Sequence, residues 1–127
     1  MNRPQFQPEQ AREIARAFAM EGVEYVFIGK SAAILIGFPA ITQDVDVFPE
    51  KSSVNGERIV TALRRVGFEI DAATEDAIRR GKDFVQIKSG PFDLDLVFAP
   101  DGIESFAAAK ARSLNLEGFP VANLRDI

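Results

Sequence analysis

Apolar residues occur along the chain in short stretches whose period changes repeatedly. Pro8 to Met20 carries Ala11, Ile14, Ala15, Phe18 and Ala19 at helical spacing, with Pro8 at an early helical position and Gly22 to end the helix. Val23 to Ile28 is a β-branched and aromatic run, hence a strand, and Gly29 breaks it. Ser31 to Ile36 reads as a short helix closed by Gly37. Thr42 to Phe48 alternates as a strand, with Gln43, Val45 and Val47 on one side and Asp44, Asp46 and Phe48 on the other. Pro49 is expected to stop it.

The second half repeats the alternation of helix and strand. Asn55 is placed to cap a helix over Gly56 to Val66, with Ile59, Val60, Leu63 and Val66 inward. Phe68 to Ile70 reads as an edge strand and Thr74 to Arg80 as a turn or two of helix. Phe84 to Lys88 and Phe92 to Phe98 read as strands joined at the Gly90-Pro91 turn into a hairpin, with Leu94, Leu96 and Phe98 opposite Asp93, Asp95 and Val97. Ile103 to Arg112 follows the Pro100-Asp101-Gly102 turn as a helix, and Val121 to Leu124 as a short strand. Helices interleaved with strands predict one α/β or α+β sheet domain.

Composition narrows the chemistry. The chain has 127 residues, a length suited to one domain, and contains no Cys, no His and no Trp. There is no disulfide framework, no Cys or His zinc site, no cysteine nucleophile and no Ser-His-Asp triad. Acid–base and metal chemistry falls to Asp, Glu, Lys, Tyr and Arg, and a metal held by such side chains is a hard ion bound through oxygen, Mg²⁺ first. The net charge of −4 argues against a general basic surface for nucleic acid while leaving room for a local basic patch. No apolar run approaches the roughly 18 residues of a membrane span. The N-terminus is not followed by an apolar signal core, so the expectation is a soluble cytoplasmic protein.

Against that background the paired aspartates stand out. Gln43-Asp44-Val45-Asp46-Val47 and Phe92-Asp93-Leu94-Asp95-Leu96 each put two carboxylates inside an apolar strand. Residues i and i+2 of a strand share a face about 6.5–7 Å apart. Two like charges so placed repel, and burying them costs several kcal/mol each unless a cation compensates. The plainer reading is that each pair marks the wetted face of a sheet. Gly29-Lys30-Ser31 resembles the end of a phosphate loop, but that motif requires a glycine where Glu24 stands. What survives is a glycine at a strand-to-helix junction, where backbone can approach a ligand, and Ser31 as helix cap or phosphate contact. Tyr25 reads as core or rim.

The run from Phe27 to Phe48 resembles the nucleotidyltransferase superfamily of DNA polymerase beta-like enzymes. A strand is followed by a glycine (Gly29), a short helix and Asp-x-Asp in a second strand (Asp44 and Asp46), with thirteen residues between Lys30 and Asp44. A later strand supplies the third carboxylate, for which Asp95 is the better match and Asp93 the second. The turn Ala99-Pro100-Asp101-Gly102-Ile103 is similar to that in small bacterial nucleotidyltransferase-like proteins of the abortive-infection and toxin–antitoxin group. The resemblance implies an α+β fold, an α/β sandwich with a nucleotidyltransferase-like mixed sheet of about four to five strands flanked by helices, over a single domain of residues 1–127 that is trimmed or minimal at its C-terminus.

It also implies an activity: Mg²⁺- or Mn²⁺-dependent transfer of a nucleoside monophosphate from a triphosphate, ATP first, to a hydroxyl of a protein, an RNA end such as tRNA, or a small molecule. Asp44, Asp46 and Asp95 would be both catalytic residues and metal ligands. Gly29, Lys30 and Ser31 would lie against the phosphates. Lys30 stands where the family has a second Gly or Ser, and Ala40 where an Arg or similar polar residue is common. These departures keep open an alternative, a catalytically inactive protein of the same fold acting as an antitoxin-like or regulatory binding module. The acidic balance favours a protein or small-molecule acceptor over free RNA.

Overall fold

The computed structural model describes residues 8–29, 44–90, 92–100, 102–116 and 119–122, of which 8–11, 44, 116 and 119 are described by their backbone path only. The elements in chain order are α1 (Pro8–Glu21), β1 (Tyr25–Ile28), β2 (Asp44–Pro49), α2 (Ser53–Val66), α3 (Ala72–Arg80), β3 (Phe84–Ile87), β4 (Asp93–Val97), α4 (Phe106–Arg112), β5 (Leu114–Leu116) and β6 (Phe119–Val121). The helix expected over Ser31 to Ile36 lies outside the described residues.

The strands form one mixed sheet in the order β3-β4-β2-β1-β6-β5. β2 runs parallel to β4, and β1 parallel to β6; the other neighbours are antiparallel. The expected hairpin of β3 and β4 forms, with Gln86 opposite Asp95. Six strands replace the four to five expected, because β5 and β6 add a second hairpin that docks on β1 through the Phe27–Val121 register and the Ala122 N–H to the Phe27 carbonyl at 2.9 Å. Pro49 closes β2 from within, paired with Tyr25; the next N–H, that of Glu50, bonds the Glu24 carbonyl at 3.0 Å.

Phe68 to Ile70 is no strand. Phe68 and Ile70 are buried, and Glu69 is tied through its backbone to Ser89 rather than to a ladder. The segment follows Gly67, whose φ of 112° ends α2, and it is too short to do more than turn the chain toward α3.

Burial follows the two periods. Ile14, Ala17 and Phe18 of α1, Ile59, Val60, Ala62 and Leu63 of α2, and Ile78 of α3 cover one sheet face, over Phe27, Val45, Val47, Leu94 and Leu96. The opposite face is covered by α4: Ala109 packs with Val26, Ile28, Phe48 and Ala122, and Ile103, Phe106 and Val97 adjoin them. α3 approaches α2 closely at Gly56, where a side chain would meet the Ile78 and Arg79 backbone at 2.9 Å.

The start of α2 differs instructively from the sequence reading. The cap is Ser52, whose hydroxyl accepts the Asn55 N–H at 3.1 Å, and the helix begins at Ser53 rather than Gly56. Asn55 instead turns inward, 3% exposed, and fastens three backbone groups. It accepts from the Glu24 N–H at 2.8 Å and donates to the carbonyls of Glu24 at 3.0 Å and Glu50 at 2.8 Å. The entry of β1, the exit of β2 and the first turn of α2 thus share one side chain. Asn55→Ala takes this partner from the Glu24 N–H and the Glu50 carbonyl, while the Glu24 carbonyl keeps the Glu50 N–H, and is expected to lower stability by about 2–3 kcal/mol, read from urea denaturation; a loss within 0.5 kcal/mol, ordinary for a surface change, would show that the clamp carries no net weight.

Candidate active site

Val45, Val47, Leu94 and Leu96 are completely buried on the face covered by α1, α2 and α3. Alternation therefore sends positions 44, 46, 93 and 95 to the opposite face. The parallel register aligns them: Asp44 beside Asp93, and Asp46 beside Asp95. Four aspartate positions thus form two rows across the two strands, with strand spacing of about 4.8 Å and row spacing of about 6.5–7 Å. Asp93 and Asp95 are 6% and 7% exposed, and Asp46 is half-buried.

The neighbours define the site's limits. The row of Asp46 and Asp95 continues to Ile28 on β1 and to Gln86 on β3. One step further along the strands are Phe48 and Val97, where α4 packs and Phe106 meets Phe48 edge-on at 5.4 Å. The carboxylates therefore occupy one half of this face and an apolar lid the other. Such a boundary lowers the local dielectric, which raises the cost of like charges and the gain from a compensating cation.

Gly29 completes the arrangement from β1. Its φ is +66°, and a Cβ there would collide with the Asp46 carboxylate and stand 3.1 Å from its Cγ. The sequence reading expected this glycine to admit a ligand; the structure sets it first against Asp46. Lys30, Ser31, Ala40 and Thr42 lie outside the described residues. So does the Asp44 side chain, and among the described residues no group of three or more Asp or Glu side chains is close enough to hold a metal ion. The donor chemistry nevertheless fits one class of ion. Among the described side chains, Asp46, Asp93 and Asp95 offer carboxylate oxygens and neither imidazole nitrogen nor sulfur, a donor set that suits Mg²⁺ or Mn²⁺.

Tyr25 takes no part as a base. It is buried between Phe18 and Phe27 with its ring edge-on to both, and desolvation pushes its hydroxyl pKa far above the ordinary value, so it stays protonated. Gln86 is the residue that sequence reasoning passed over. In β3 Val85 and Ile87 are buried and Gln86 is exposed; its pairing with Asp95 follows from the hairpin register. A polar cavity of about 360 Å³ opens beside it, also lined by Glu69, Asp71, Thr74 and Lys88.

No protein-family model matches the chain, and no curated protein matches it.

Gly29→Ala forces a left-handed alanine and a collision with Asp46 together. It is expected to cost about 2–4 kcal/mol in denaturant unfolding, of which about 1–2 kcal/mol is backbone strain. In an Asp46→Ala background only the strain remains. Equal costs in both backgrounds would show that Gly29 and Asp46 do not compete for the same space.

Proposed function

We propose that this chain is a metal-dependent nucleotidyltransferase that moves a nucleoside monophosphate from a nucleoside triphosphate to a hydroxyl acceptor. The observation that supports this best is the register of Asp44-Val45-Asp46 against Asp93-Leu94-Asp95, which gives the carboxylates one face and one end of the sheet. Solvated surface aspartates need no such alignment, nor would they be as enclosed as Asp93 and Asp95. The contact between Gly29 and Asp46 adds that the strand-glycine motif and the Asp-x-Asp motif meet in space.

In this reading Asp44, Asp46 and Asp95 hold Mg²⁺ or Mn²⁺, and Gly29, Lys30 and Ser31 lie against the triphosphate. A divalent ion bound there supplies charge neutralisation for the phosphates and a lowered pKa for the acceptor hydroxyl. The protein's own groups do the rest. Asp46, held in place against Gly29, keeps its carboxylate at a set position beside β4. Asp95 orients the acceptor hydroxyl and takes its proton. Phe48 and Phe106 exclude water from the apolar end of the face. Transfer forms a bond between the acceptor oxygen and the α-phosphorus and breaks the bond to pyrophosphate. Among the described residues no helix is long and apolar enough to cross a membrane.

Incubation with each α-labelled triphosphate and Mg²⁺ or Mn²⁺, ATP first, tests the reading. Label is expected in the chain itself, a copurifying protein or RNA, and is expected to fall at least about 100-fold in Asp46→Asn and in Asp95→Asn. Mg²⁺ at tenfold its Kd should also stabilise the wild type by about 1.4 kcal/mol, an increment lost in Asp46→Asn. Failure of every nucleotide to transfer would favour the inactive, antitoxin-like or regulatory module, the reading to which Lys30 points.

A further inference from the structure

β2 and β4 are parallel neighbours, and the chain leaves them in opposite directions. From β2 it passes to α2, which lies over one face of the sheet; from β4 it passes to α4, which lies over the other. Where two parallel strands send their connections to opposite faces, neither connection closes the space past their carboxyl ends. Ligands of open α/β sheets settle in that crevice. The crevice is present here. A cavity of about 310 Å³ opens between Pro49, at the end of β2, and Phe98, Ala99 and Pro100, which follow β4. Asp83 fixes the β4 wall: its carbonyl accepts the Phe98 N–H at 2.8 Å and the Ala99 N–H at 3.4 Å. Asp46 and Asp95 lie further back along the two strands and are not among the described residues that line it.

The lining selects its occupant. Phe48 and Phe98, both buried, and Phe106 and Ile103, both half-buried, make the apolar part. The exposed polar side chains around them are Lys51, Glu104 and Ser105. Two of these are already engaged: Glu104 pairs with Arg112, and Ser105 accepts the Ala108 N–H at 3.1 Å as the cap of α4. Lys51 packs its alkyl stem against Gly81, and its ammonium makes no ion pair among the described residues. The mouth therefore carries one uncompensated positive charge. A cavity of about 150 Å³ suffices for benzene, so this one takes a single substituted ring and is too small for a long acyl chain. A nucleobase would bring ring donors and acceptors to phenylalanine walls and leave them unpaired. An anionic substituent on an apolar ring meets Lys51.

We propose that this crevice is a binding site for a single-ring aromatic carboxylate, with the ring among Phe48, Phe98 and Phe106 and the carboxylate at Lys51. Phenylalanine rings on several sides favour an aromatic guest over an aliphatic one of equal size, through edge-to-face contact. The ammonium sets the orientation, ring inward and carboxylate outward, so that no charge is buried. Volume and lining match those of ordinary small-molecule sites, which are mostly apolar with a few polar groups to fix the pose. The crevice uses none of the aspartate positions of β2 and β4, so binding there is independent of nucleotide transfer.

The test is a titration of the full chain with benzoate, followed by amide proton–nitrogen chemical shifts. Saturable shifts are expected at Lys51, Ala99, Ile103 and Ser105, with Asp46 and Asp95 unmoved. Benzoate should bind several-fold tighter than benzyl alcohol, which lacks the charge, and tighter again than benzylamine, which reverses it. Lys51→Met keeps the stem on Gly81 and is expected to weaken benzoate about three- to fivefold, the worth of an exposed ion pair. The same change should leave benzyl alcohol unaffected, and Lys51→Arg should restore benzoate. Ile103→Trp fills the cavity and should abolish binding of both; if that variant does not fold, the wild-type shift map and the Lys51 series decide. No saturation by about 10 mM benzoate, weaker than a ligand of this size achieves in a formed pocket, would overturn the site, as would shifts confined to other residues. Binding in the crevice that Lys51→Met leaves unchanged, or that cyclohexanecarboxylate equals, would overturn the aromatic carboxylate as its occupant.

Discussion

β2 and β4 must serve two incompatible environments at once, and their parallel pairing is what reconciles them. On one face Val45, Val47, Leu94 and Leu96 are sealed under three helices. On the other, four aspartate positions stand side by side. Because successive side chains alternate, neither face can be altered without the other. A slip of one residue between these strands would take the apolar rows and the carboxylate rows out of alignment together. The buried face therefore enforces the register of the charged face. Hydrophobic burial worth about 1.5–3 kcal/mol for each such side chain holds in place a group of like charges that would otherwise separate.

The connection between these two strands explains much of the remaining structure. Parallel neighbours cannot be joined by a tight turn, so the chain from β2 to β4 passes through α2, α3 and β3. α2 starts where β2 ends, and Asn55 anchors that corner to the residue before β1. α3 packs onto α2 across Gly56, and β3 then returns as the antiparallel neighbour of β4. Gly29 acts at the opposite end of β1, where its missing side chain leaves space for Asp46. The two ends of β1 are thus both tied to β2, one through a buried amide and the other through a close approach.

How much of this was legible from the residues depends on the range of the interaction. Alternation is local, so the faces of β2 and β4 and the outward position of Gln86 could be read directly. Helix α1 was nearly as plain: Ile14 and Phe18 turn inward and Gly22 follows its end as expected, but Ala17 is buried where Ala19 was expected, and Ala19 is exposed. Register is non-local: nothing in Asp44-Val45-Asp46 says that Asp93-Leu94-Asp95 lies beside it rather than several strands away. A short strand was expected at Val121 to Leu124, of which Val121 lies in β6, but the hairpin with β5 went unread because Leu114 to Leu116 and Phe119 to Val121 are each three residues long, and a three-residue alternation carries almost no periodic signal. Asn55 was misread for a related reason. A capping residue and a buried clamp look alike in sequence, and only Glu24, 31 positions away, distinguishes them.

α4 covers Val26, Ile28 and Phe48, the apolar end of the second face, and has only two turns with which to do so. On β2 the boundary falls between Phe48 and Asp46, adjacent positions on one face of one strand. A reacting phosphate group placed at that boundary would meet fixed charge on one side and excluded water on the other, the condition under which electrostatic stabilisation is strongest.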